Sequence, residues 1–162
     1  MENKKVLGIR VNTKGMQTVL LDIENNKINN IYYEFFTTPI IYNFSEDIAK
    51  ILKWHKNHIV TTIYSDKIKF IAIKKTERNS FVGRPKDRDI QRMYIEGMVL
   101  SLAGQYSLIN RNYYKTNLNK IIDSKYEEKC IDLNENQRTE LEIDAFSVAL
   151  AIAKEEDILN DH

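Results

Sequence analysis

One cysteine, two prolines and five glycines in 162 residues leave this chain poor in the residues that build specialised frameworks. Cys130, standing alone, excludes an internal disulfide and any multi-cysteine zinc site. A reducing, cytoplasmic setting is the expectation that follows. No apolar run approaches the roughly 20 residues of a membrane span, and the opening MENKKVLGI lacks a secretory hydrophobic core, so no membrane partner is expected. The net charge is only +1, so no overall field draws the chain toward nucleic acid or anionic lipid, and any basic surface must be local. A phosphate-cradling glycine loop, a dinucleotide fingerprint and a serine-nucleophile elbow are all missing from the sequence. Internal repeats and low-complexity tracts are missing too.

What is present is ordinary for a folded protein. The hydrophobic share of 43% and charged share of 29% predict an ordered chain, and the length suits a single domain, 1–162, with a real core. Lys5–Val11 (KVLGIRV) reads as a buried strand that is apolar apart from Arg10. A turn leads to a second strand, Met16–Ile23, and Glu24–Lys27 (ENNK) forms a hairpin turn into a third strand, Ile28–Phe36. Ser45 is the expected cap of a helix striped by Ile48, Ile51, Leu52, Trp54 and Ile59, and the β-branched run Ile59–Ile63 is read as its last turns rather than a strand. A central strand, Ile68–Ile73 (IKFIAI), follows, then a basic stretch and a helix over Ile90–Ala103 that Gly104 should stop. Tyr106–Asn110 reads as a strand and Thr116–Ile122 as a short helix. After a charged loop, Asp123–Leu133, Asn134 should cap a last helix, about Glu135–Glu156. The order is β-β-β-α-β-α-β-α-α. That is an α/β plan with a mixed five-stranded sheet, three antiparallel strands and then alternating helices and strands, as in the RNase H-like fold.

The segment Asp144–Ala151 (DAFSVALA) resembles the last helix of RuvC-like Holliday-junction resolvases, in which an Asp heads such a run. KVLGIRV with its turn and second strand is similar to their first hairpin. IKFIAIKKTERNSFVGR leading into IEGMVL is similar to a small bacterial family of RuvC-like proteins of unknown function, which has an IKK-type strand end, a Lys/Gly-rich loop and an acidic helix residue. The resemblance implies an RNase H-like fold with carboxylates on the first strand, at the end of the fourth strand and on the last helix, holding two divalent metals about 4 Å apart. This chain departs from that pattern. Arg10 stands at the first-strand position, Lys74 or its neighbour Ile73 at the fourth-strand position, and only Asp144 remains, with Glu140 one turn before it. Charged guanidinium and ammonium groups have no lone pair for a metal. Two-metal hydrolysis is therefore expected to be lost, and no metal or other cofactor is expected.

Each candidate residue carries two readings. Asp144 is a remaining metal ligand or, the reading preferred, the partner of Arg10 or Lys74. Arg10 binds phosphate or sits in an ion pair inside the sheet. The stretch Lys74–Arg92 offers Lys74, Lys75, Arg78, Arg84, Lys86, Arg88 and Arg92 to phosphates, Phe81 to a base, and Asn79, Ser80 and Gly83 for close backbone approach; the alternative is a solvated loop. Glu96 is a residual acid near the site or the partner of a basic loop residue. His55 and His58, at i, i+3, are read as an exposed pair without a third metal ligand, and Cys130 is given no nucleophilic role. Tyr106, Tyr113 and Tyr114 with Arg111 make a stacking surface or belong to the core. The leading expectation is a catalytically degenerate RuvC-like protein that binds DNA, RNA or a nucleic-acid-processing partner through its basic loop. One alternative is a nuclease using Mg or Mn at a relocated site of Asp144, Glu140 and Glu96 with Asp22 or Asp66. The other is a protein-interaction subunit or inhibitor in a phage–host or mobile-element system, anchored by exposed aromatics.

Overall fold

The computed structural model describes residues 3–77, 83, 86–122 and 138–160. Its elements are β1 (Lys4–Val11), β2 (Gly15–Glu24), β3 (Lys27–Thr37), α1 (Phe44–Asp66), β4 (Phe70–Lys74), α2 (Asp87–Gln105), β5 (Ile109–Tyr113), α3 (Lys115–Ile121) and α4 (Glu140–Glu155). They follow the order expected from the sequence. The sheet runs β3-β2-β1-β4-β5. β1, β2 and β3 form the antiparallel meander, with β2 and β3 joined by Asn25 and Asn26 at φ 54 and 58, a conformation asparagine tolerates in tight hairpins. β4 lies parallel to β1, and β5 parallel to β4.

Two cores flank the sheet, which is why β1 reads as an almost unbroken apolar run. Leu7, Ile9, Val11, Ile71 and Ile73 pack toward α1 and α2, through Ile51, Ile59, Ile95 and Val99. Val6, Phe70 and Ala72 pack toward α4, through Ala145, Phe146, Ala149 and Ile152. Gly8 lies on the α4 face, where a Cβ would sit 2.0 Å from the Ala145 carbonyl oxygen and 2.8 Å from the Ala149 Cβ. Only a glycine lets the helix backbone come this close to the strand. Among the described residues, no helix is long and apolar enough to cross a membrane.

Several local expectations are corrected. Asn43, not Ser45, caps α1, its side chain accepting from the Ser45 N–H, while Ile59–Ile63 lies in the later turns of α1 as expected. Gly104 lies inside α2; the left-handed residue after that helix is Ser107, at φ 53. The strand expected at Tyr106–Asn110 is Ile109–Tyr113. Tyr106 and Leu108 instead belong to the turn leaving α2 and pack against the α1/α2-side core. Thr139 caps α4 through a reciprocal capping box with Glu142. Asn134, Cys130 and the loop Asp123–Leu133 lie outside the described residues.

The histidine pair is not an exposed one. His55 is 0% exposed, with Nε2 2.8 Å from the Thr38 hydroxyl and its ring edge-on to Trp54. His58 is half-buried between Phe36 and Trp54. Burial, aided by the nearby His58, pulls the His55 pKa down from 6.5 to about 4. The neutral ring is thus favoured in the folded state. Its contribution to stability is complete above about pH 6.5 and is lost as pH falls toward about 4, an effect of up to ~3 kcal/mol. Urea unfolding of His55→Gln should accordingly show a shallower decline in stability from neutral pH to about pH 4.5 than the wild type; parallel curves would contradict the assignment.

Candidate functional site

The carboxyl ends of the parallel pair β1 and β4 lie side by side, with Arg10 opposite Lys74 in the register. Strand alternation sends both side chains to the α4 face, two residues beyond Gly8 on β1 and Ala72 on β4. The close seating of α4 on Gly8 places Asp144, the neighbour of Ala145, above the two cations. Asp144 Oδ1 lies 2.5 Å from Lys74 Nζ and Oδ2 3.2 Å from Arg10 Nε. All three side chains are at most 15% exposed. Arg10 also reaches over the end of β4, its Nη1 donating to the carbonyls of Lys74 and Lys75 at 3.2 Å. Its Nε, though beside Asp144, is not aligned for a hydrogen bond and stays buried without one. Ile73, the other position considered for the fourth strand, points the opposite way into the α1/α2-side core.

A second layer comes from α2. Glu96, 5% exposed, accepts at Oε1 from the Thr76 N–H (3.0 Å) and hydroxyl (2.5 Å) just past β4. Burial raises the Glu96 pKa, and the Thr76 bonds together with Arg10 and Arg92 offset part of that rise. Arg92 lies one turn before Glu96 on the same helix. It sits 3.7 Å from Asp89, its Nε is buried without a partner, and burial reinforced by the charge of Arg10 lowers its pKa. Beside this layer opens a cleft of about 540 Å³ lined by Lys75, Thr76, Met93, Glu96, Gly97 and Tyr114, among others.

The sheet end thus gathers Arg10, Lys74, Lys75, Arg92, Asp144 and Glu96. Lys86 and Arg88 are exposed at the start of α2, while Arg78, Arg84, Asn79, Ser80 and Phe81 lie outside the described residues. Glu140 is exposed in the first turn of α4, with no ion pair to the cluster among the described residues. Asp22 is opposite Lys5 in the register and Asp66 is ion-paired with Lys5 at 3.2 Å, so both lie at the other end of β1, roughly 17 Å away along the strand. Tyr113 is buried and donates to Glu155 at 2.5 Å, Arg111 pairs with Glu156, and Tyr106 packs edge-on against Tyr64. The three tyrosines therefore do not share one stacking surface with Arg111. Tyr114 alone remains available, 42% exposed and topped by Lys75 Nζ at 5.4 Å from the ring centre. The Thr76–Glu96 bond and the Lys75–Tyr114 pair had no signal in the sequence, because each joins residues that only the folded sheet end brings together.

The donor set does not suit a divalent ion. Both Asp144 oxygens face cations, Arg10 and Lys74 offer no lone pair, and among the described residues no three His, Cys, Asp or Glu side chains form a group able to hold a metal.

No protein-family model matches the chain, and no curated protein sequence does. Solved structures do. RuvC from T. thermophilus in complex with a Holliday junction substrate superposes with a TM-score of 0.72 at 14% identity, over 95% of this chain and 96% of that one. A second T. thermophilus RuvC structure gives 0.69 at 13% identity. The yeast mitochondrial Holliday junction resolvase gives 0.59 at 13% identity, over 93% of this chain and 76% of that one. With the mixed sheet, its strand order and the helices on both faces, these likenesses show that the chain has the RuvC-like, RNase H-like fold.

Proposed function

We propose that this protein binds nucleic acid at the positive carboxyl end of its central strands and does not cut it by two-metal hydrolysis. The observation that carries this reading is the Arg10–Asp144–Lys74 contact. An ion pair occupies the position where hydrolysis would need a cage of oxygen ligands. The fold supports a role in handling nucleic acid, and the T. thermophilus protein of the same fold is seen with a Holliday junction. Phosphates would be met by Lys75, Arg78, Arg84, Lys86 and Arg88, with Arg10 and Lys74 setting the sign of the potential behind them. The nuclease alternative has less support, because Asp22 and Asp66 stand far from Asp144 and Glu96.

Titration of labelled four-way junction, duplex and single strands, DNA and RNA, over a salt series is the direct test. Affinity should fall linearly in log–log form, and the combined Lys75→Ala, Lys86→Ala and Arg88→Ala variant should reduce the slope by roughly three. Salt-insensitive binding, no binding, or Mn²⁺-dependent cleavage lost in Asp144→Asn would each overturn the proposal.

A further inference from the structure

We propose that the cleft beside the sheet end receives a single unstacked nucleobase carrying an exocyclic amine, stacked on Tyr114 with the amine directed to Glu96. The inference rests on the nucleic-acid reading above and extends it to a base-reading pocket. Four observations converge. The cleft, about 540 Å³, is of the size that holds small ligands. Tyr114 presents a ring 42% exposed, and Lys75 sits 5.4 Å from its centre. Lys75 lies over the ring on a flexible side chain. A base stacking on Tyr114 would shift the ammonium from the ring onto the base's own phosphate, a combination that suits a nucleotide better than a neutral sugar or a lipid tail. Met93, 37% exposed, supplies an apolar wall.

The fourth observation sets the preference. Glu96 lines the cleft, and its Oε1 is already bonded twice to Thr76. The two Thr76 bonds both fall on Oε1, so a ligand N–H that enters the cleft would be received at the other carboxylate oxygen. Cytosine, adenine and guanine present an exocyclic N–H₂. Thymine and uracil instead flank their one N–H with two carbonyl oxygens, which a carboxylate repels. The pocket therefore favours amine-bearing bases.

Gly97 supplies a way to close the cleft. It lies on α2 at the cleft wall, and a Cβ built there meets nothing within 4 Å, so side chains can be added without a backbone clash.

Fluorescence anisotropy on the full chain, with labelled homopolymers of about 20 nucleotides, tests the proposal without requiring any variant. Oligo-dC and oligo-dA should bind about tenfold tighter than oligo-dT. Tyr114→Ala and Gly97→Trp should weaken binding of oligo-dC about tenfold. Glu96→Gln discriminates most sharply. The two Thr76 donors keep the amide oxygen, an N–H₂ turns toward the ligand, and the preference shifts toward the carbonyl-bearing thymine. Equal binding of oligo-dC and oligo-dT by the wild type, or full oligo-dC binding by a folded Gly97→Trp, overturns the pocket and leaves salt-dependent phosphate binding standing. Failure to bind any strand overturns both readings.

Discussion

Gly8→Ala is expected to cost at least about 3 kcal/mol of stability, the upper end of what overpacking usually costs. The added methyl falls 2.0 Å from a main-chain oxygen of α4, and a backbone atom cannot rotate away as a side chain can. Either α4 lifts off the sheet or β1 bends, and both break the contact that holds Asp144 over Arg10 and Lys74. Gly97→Ala and Gly104→Ala supply the internal contrast. Both residues are in α2 with open space where the methyl would go, so alanine should be neutral or stabilising by ~0.5–1 kcal/mol. Urea unfolding of the three variants measures this directly. A loss at Gly8 below about 1 kcal/mol would mean that α4 does not rest on the strand as closely as the geometry requires.

Asp144→Asn is expected to cost about 3 kcal/mol, lowering the melting temperature by roughly 6–12 °C. The substitution keeps the shape and removes the carboxylate that is ion-paired with both Arg10 and Lys74. Removing one member of a largely buried cluster leaves charge without compensation, which costs more than the intact cluster ever contributed. Adding Lys74→Met should therefore recover part of the loss, and a double-mutant cycle isolates the coupling. The same Asp144→Asn protein should bind nucleic acid more tightly than the wild type, since the sheet end gains one unit of positive charge. If melting is unchanged and affinity falls, Asp144 is not the counter-charge described here.

The fold was legible because its signals are local. KVLGIRV is apolar enough for a strand covered on both faces, ENNK marks the hairpin, and the stripe from Ile48 to Ile59 marks a helix. Element order then left few topologies, and the mixed sheet is one of them. Where signals competed, boundaries moved. Tyr106 and Leu108 looked like strand residues by alternation, yet they are apolar because the turn after α2 dips into the core. The polar INRNY forms β5 because an edge strand bonded to β4 on one side needs backbone pairing more than apolar side chains. His55 looked exposed on a lysine-rich helix, but Thr38 and Trp54 enclose it.

By itself the sequence determined the elements, their order and the change of sign at two positions, Arg10 and Lys74, because those depend on residue type and near neighbours. Only the tertiary structure decided what these residues meet. Asp144 is 70 positions from Lys74, and Glu96 is 20 from Thr76. Crossover connections and the close seat on Gly8 bring them within bonding distance at one end of the sheet. Pattern and propensity act over a few residues, whereas a charge inside a fold finds its partner through space.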